Sequence, residues 1–257
     1  MTAKIQSIYR YPVKGLSPER LERVRLEPGG PLPADRKYAI ENGPSGFDPA
    51  APAHVSKTKF LMLMFNERLA ALNTHYDDAT HTLIIGGEGR ELARGDLSAT
   101  EGRLAIEAFF RRYMPVELRG APKVLQADGH SFSNVAPKVI SIINLASVTA
   151  LEAVVGLPLD PLRLRGNVYV EGWPAWHEFD LVGQEIAIGG ARLTVAKRIL
   201  RCAATDVEPG TGVRDLNIPA TLMKTYGHAD CGIYAQVIEG GEIEPGSRVV
   251  IPDSLKG

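Results

Sequence analysis

Arg198-Ile199-Leu200-Arg201-Cys202-Ala203-Ala204-Thr205-Asp206-Val207-Glu208-Pro209-Gly210-Thr211-Gly212 is the stretch on which the reading of this chain turns. An apolar run ends in one thiol beside Arg198 and Arg201, and a glycine-rich loop from Glu208 to Gly212 follows at once. Thiols set among cations are the ones that serve as thiolate nucleophiles or metal ligands. A thiolate suits soft or high-valent metals, whereas magnesium and calcium take oxygen. Free cysteine is also among the most buried residue types, where it acts as a small inert hydrophobe. The run alone therefore leaves two readings open: a reactive Cys202, or a core residue at a strand end.

Composition narrows the classes. A chain of 257 residues buries a substantial core without staples, as one large domain or two packed smaller ones. The formal net charge is −1 and the basic residues are scattered, which argues against a nucleic-acid partner. Two cysteines, Cys202 and Cys231, are too few for a zinc cluster or the ligand set of an iron–sulfur centre. Cys231 is expected in the core. The start, Met1 to Tyr9, lacks the apolar segment of a signal peptide, and the run Val139 to Val148 is broken by Ser141, Asn144 and Ser147. A cytoplasmic protein without membrane insertion is the expectation. The histidines show no ligand spacing, and His177 beside Trp176 and Glu178 reads as structural. Neither a Gly-x-Ser-x-Gly elbow nor a Walker loop is present.

Glycine and proline are spread along the chain, punctuating short apolar runs as in a many-stranded fold. Alternation and turn signals predict strands over 4–11, 21–26, 37–41, 69–75 and 81–85. Ser98 and Glu101 have capping-box spacing, and Ile106, Phe109, Phe110 and Tyr113 follow at helical intervals, which predicts a helix over 100–112. Beyond Gly120, strands are expected at 139–143, 167–171, 185–188, 191–195, 234–238 and 247–251. Gly189-Gly190 marks a hairpin between two of them. Helices are expected over 147–155, closed by Gly156, and over 218–226, with Pro219 in the first turn. The loop 42–53 is rich in Gly, Pro and Ala and is expected to be mobile.

Four ordered motifs resemble one family. They are Ile-Tyr-Arg-Tyr-Pro-Val-Lys-Gly-Leu at 8–16, Ala34-Asp35-Arg36-Lys37-Tyr38, Leu162-Arg163-Leu164-Arg165-Gly166-Asn167-Val168 followed by Glu171-Gly172, and Arg201-Cys202 with Thr205, Asp206, Pro209 and Thr211-Gly212. Together they resemble MOSC-domain proteins with the N-terminal MOSC β-barrel module, a group that includes the mitochondrial amidoxime-reducing component, its bacterial relatives and the C-terminal domain of molybdenum-cofactor sulfurase. The resemblance implies a mainly β fold with a few helices (α+β), residues 1–119 forming the N-terminal module and 120–257 the MOSC β-barrel.

The same resemblance implies a molybdenum cofactor, a molybdopterin, with Cys202 as the metal ligand. It places Lys14, Arg36, Arg163, Arg165, Asn167, Arg201 and Thr205 around that cofactor. The loop Ser131-Phe132-Ser133-Asn134 adds Ser133 and Asn134, the latter standing where the family carries an acid. Arginine forks match phosphate oxygens, lysine supplies a movable point charge, and an asparagine amide can meet both donors and acceptors of a pterin edge. Arg163 and Arg165, two apart on an expected strand, would face the same way. The implied activity is reduction of N-hydroxylated or N-oxide compounds, with a small-molecule substrate and a separate electron-donor protein. Two other uses of the same residues stay open: carriage of the cofactor without turnover, and sulfur transfer through a Cys202 persulfide.

Overall fold

A computed structural model describes residues 3–251. The chain enters through β1 (Ala3–Arg10), β2 (Glu19–Leu21), β3 (Val24–Leu26) and β4 (Ala39–Asn42). Next come β5 (Asn73–Asp77), β6 (Thr82–Gly87), β7 (Arg90–Asp96), helix α1 (Thr100–Tyr113) and β8 (Pro122–Leu125). The second half runs through β9 (Ile140–Asn144), α2 (Leu145–Val155), β10 (Val168–Glu171), β11 (Glu185–Ile188) and β12 (Ala191–Leu200). It ends with α3 (Ile218–Tyr226), β13 (Asp230–Glu239), β14 (Gly241–Ile243) and β15 (Arg248–Val250). This is the mainly β, α+β architecture expected.

The larger sheet runs β10-β9-β13-β12-β11-β15-β1-β2, and β1 pairs back onto β10, so seven strands close into a barrel with β2 as an appendage. Only β9 and β10 are parallel, and helix α2 is their crossover. Alternation explains the barrel interior. Ile5 and Ile8 of β1, Leu193 and Val195 of β12, and Ile233, Ala235 and Val237 of β13 all point inward and are buried. Each of the Val, Leu and Ile side chains contributes about 1.5–3 kcal/mol by leaving water, and Ala235 less.

Beside the barrel, α1 lies on the antiparallel sheet β5-β6-β7 and buries Ile106, Phe109 and Phe110 against Tyr76, Leu83 and Ile85. A third core, Val148 and Leu151 of α2 with Ile218 and Leu222 of α3, encloses Cys231. Burial pushes the Cys231 thiol up to about 12, as suits an inert core residue.

Several local expectations change. Strands from before residue 119 also enter the barrel region: β1 is a stave and β3 pairs with β14. Residues 21–26 form parts of two strands. Residues 67–71 wind into a 3-10 turn, so the strand expected from Leu69 starts only at Asn73. Helix α1 begins after Ala99 without a side-chain cap, because Asp96 takes both the backbone N–H and the hydroxyl of Ser98. Helix α2 starts two residues early, since Asn144 accepts from the Ala146 N–H at 3.1 Å. Within the loop 42–53, the Phe47 ring lies 4.9 Å from that of Phe132.

Candidate functional site

A cleft of about 380 Å³ lies between the N-terminal module and the barrel. All ten residues singled out by sequence line it: Lys14, Arg36, Ser133, Asn134, Arg163, Arg165, Asn167, Arg201, Cys202 and Thr205. They arrive from separate elements, and the local structure shows how each is held.

The first strand delivers Tyr11 and Lys14. The Tyr11 N–H donates to Asp35 Oδ1 at 2.8 Å, and the Arg36 N–H returns a bond to the Tyr11 carbonyl at 2.7 Å. These bonds hold a tight turn in which Ala34 and Arg36 take positive φ (+59° and +52°). Gly15, at φ +85°, lets the chain pass Leu61, where an added Cβ would lie 2.8 Å from the carbonyl oxygen. The result is a buried Lys14 whose Nζ donates to the Phe132 carbonyl at 2.8 Å and to Asn134 Oδ1 at 2.7 Å. Ser133 closes a short turn by accepting from the Val135 N–H at 3.2 Å and donating to the Val135 carbonyl.

Charge converges around the Tyr11 ring. The Arg165 guanidinium carbon sits 4.2 Å from its centroid and that of Arg36 at 4.9 Å. Arg36 pairs with Asp35 and donates to the Arg165 carbonyl at 3.2 Å, a bond between the two modules. Among the described residues the Arg165 guanidinium has no hydrogen-bond acceptor, and burial pulls its pKa down to about 10, helped by repulsion from Arg36. Burial also pushes Lys14 well below the usual lysine range, with Arg36, Arg165 and Lys57 adding repulsion. Eight lysines and arginines line the cleft against one carboxylate, Asp35. Such a concentration of positive charge is a site for an anion.

Other residues serve the walls. Arg163 and Arg165 do not lie on a strand; they belong to the end of a 3-10 turn, Pro161–Leu164, and to its cap at φ +50°. They therefore diverge. Arg163 is buried, forks onto Asp215 at 2.8 and 2.7 Å, and donates to the Asp206 carbonyl at 3.2 Å. Its charge is already paired. Arg201 clamps the Leu164 and Cys231 carbonyls. The Asn167 Oδ1 accepts from the Ser141 N–H at 3.0 Å and hydroxyl at 2.8 Å, and its Nδ2 donates to the Tyr9 carbonyl at 3.2 Å. Only one of its amide hydrogens is left for a ligand, so it cannot present both faces as the sequence suggested. The Thr205 hydroxyl donates to the Cys202 carbonyl at 2.9 Å.

Cys202 follows β12 and precedes a 3-10 turn, Ala203–Asp206; it is half-buried and free. Among the described residues no three His, Cys, Asp or Glu side chains gather to hold a bare metal ion. Cys202 thus could give one sulfur ligand to a metal already held by a chelating cofactor, and Arg165, Lys14 and Arg36 are placed to meet an anionic group on that chelator. A pterin dithiolene fits this donor set. The sequence missed Lys57, Lys197 and Tyr234, which also line the cleft. No spacing marks Lys57 or Tyr234, but Lys197 stands one residue before Arg198 on β12 and was within reach.

Residues 2–113 match the MOSC N-terminal beta barrel domain, and residues 128–250 match the MOSC domain. Among solved structures, the YuaD protein of Bacillus subtilis is similar at 14% identity and a TM-score of 0.46, over 97% of this chain and 94% of that one. YiiM of Geobacillus stearothermophilus is similar at 22% identity and a TM-score of 0.36, over 44% of this chain and 54% of that one. No curated protein matches the chain. With the two domain matches spanning nearly its whole length, the chain belongs to the MOSC family, whose domains are associated with molybdenum-cofactor binding.

Proposed function

We propose that this protein binds a molybdenum cofactor and reduces N-hydroxylated or N-oxide compounds, drawing electrons from a separate donor protein. The observation that carries the reading is the meeting of Cys202, Lys14, Arg36 and Arg165 in one cleft, with Arg165 lacking an acceptor among the described residues. The bound cofactor supplies the two-electron chemistry. For a hydroxylamine the balance is RNHOH plus two electrons and two protons to RNH2 plus water, with the N–O bond broken.

The chain's own residues hold and orient. Cys202 is the single protein ligand to the metal. Arg165, Arg36 and Lys14 would neutralise the phosphate, and the remaining amide hydrogen of Asn167 would be available to the pterin. Asn134 keeps the Lys14 amine pointed, and Ser133 sets the turn that presents Asn134. Arg163, Arg201 and Thr205 fix the backbone on which the others stand. Charged groups enclosed this way interact more strongly than they would in water.

The test is turnover. Protein produced with molybdate, and supplied with a chemically reduced viologen, is expected to oxidise the viologen on addition of an N-alkylhydroxylamine and release the amine. A protein that carries molybdenum and pterin yet leaves the hydroxylamine untouched would be a carrier instead.

A further inference from the structure

A second cavity, of about 310 Å³, adjoins the Cys202 cleft. Leu16, Ala71 and Leu72 of the N-terminal module form one side, and Leu162 and Val207 of the barrel side face them. The Gly210 N–H donates to the Ala70 carbonyl at 2.9 Å, so the loop after Cys202 closes over this space. Two of the polar groups on its rim are already bonded. The Ser17 hydroxyl donates to the Leu72 carbonyl and accepts from the Thr74 N–H at 3.2 Å, and Arg163 is paired with Asp215. Away from Arg165, which stands where the cavity meets the cleft, the wall is mainly apolar: Leu16, Leu63, Ala71, Leu72, Leu162 and Val207.

Continuity with the cleft gives the cavity its meaning. The two spaces share Gly15, Leu63, Arg163, Arg165 and Ala204 as lining, and Ala204 lies two residues past Cys202. An apolar cavity of about 150 Å³ admits one benzene ring. About twice that volume takes a fused bicyclic ring, or one ring with a short alkyl chain. We infer that this cavity receives the apolar aryl or alkyl body of the substrate while the N–O head group lies in the Cys202 cleft. The substrate class is therefore amphipathic: one small polar head on a hydrophobic body of naphthalene size or less. Assignment of the head rests on the proposed reductase reading; affinity of the cavity for an apolar ring does not.

Two measurements separate these. First, 2-naphthol is titrated into the protein, with and without bound cofactor, and into Ala71→Leu and the milder Ala71→Val, each checked for an unchanged melting transition. Saturable binding by both wild-type forms, weakened tenfold or more by Leu and less by Val, supports the cavity. Absence of saturable binding, equal affinity in the variants, or loss of binding once cofactor is loaded would overturn it. Second, in the loaded enzyme the KM for N-alkylhydroxylamines is expected to fall about three- to fourfold per methylene until the cavity fills, and to stop falling earlier in Ala71→Leu. A KM independent of chain length contradicts the substrate assignment. An inactive protein that still binds 2-naphthol sinks the reductase reading alone.

Discussion

Arg163 and Arg165 stand two residues apart and do opposite work. Arg163 is buried and forked onto the partly exposed Asp215, so Arg163→Met removes a charge-assisted fork and leaves a carboxylate that water can reach; the expected cost is about 1.5–3 kcal/mol in denaturant unfolding. Among the described residues Arg165 has no acceptor, and it stands near Arg36 and Lys14, so Arg165→Met is expected to hold or raise the stability of the cofactor-free protein. The same change weakens binding of a phosphate-bearing pterin by about 10- to 150-fold, the worth of one charge-assisted hydrogen bond. Equal loss of stability in both variants would contradict this division. Lys14 adds a pH signature. Its folded pKa is lowered, so between that value and the ordinary 10.5 the unfolded chain binds more protons, and stability from this group rises with pH. Lys14→Met is expected to gain stability over wild type at low pH and to lose that advantage as pH climbs toward 10.5. An advantage that does not change with pH would show an amine that is not depressed. The sequence motifs named these side chains, but the partners that divide them into binding and bracing, Asp215 for Arg163 and the Tyr11 ring for Arg165, lie 52 and 154 positions away from them in the chain.

The loop that follows Cys202 depends on a close backbone approach. Gly212 has φ +74°, and an added Cβ would lie 2.9 Å from the Glu67 carbonyl oxygen. Gly212→Ala therefore adds left-handed strain of about 1–2 kcal/mol and a contact with rigid backbone. Faster hydrogen exchange at the Gly210 amide, which bonds the Ala70 carbonyl, is the expected outcome; unchanged protection would show the loop held by other contacts. Elements with a strong local signal were legible in the sequence. The Gly189-Gly190 hairpin, the Gly156 stop of α2 and the Pro219 start of α3 fall where turn and cap chemistry put them. Misplaced elements are those where a neighbour outcompetes the local signal. Asp96 takes the hydroxyl that would cap α1, and the turn at 67–71 buries Leu69 instead of exposing a strand face.

At the level of the whole molecule, the barrel is not finished without the first strand. Chain order suggested a boundary at 119/120, yet β1 fills the gap between β10 and β15, a pairing that no local pattern announces. Residues 120–257 produced alone are expected to lack a cooperative thermal transition, because an open barrel exposes two strand edges and loses Ile5 and Ile8 from its core. A sharp transition in that fragment would contradict the closed barrel. The same stave runs on to Tyr11 and Lys14, so completing the barrel and assembling the cleft are one event. Metal analysis tests that assembly most directly. Wild type and Cys202→Ala, both produced with molybdate and both shown to be folded, are assayed for molybdenum and pterin per chain. The account predicts about one of each in wild type, with the metal lost or readily stripped from Cys202→Ala, because Cys202 is the one cysteine among the described residues lining the cleft. Wild type devoid of both, or a Cys202→Ala protein that keeps its molybdenum as firmly as wild type, would contradict it.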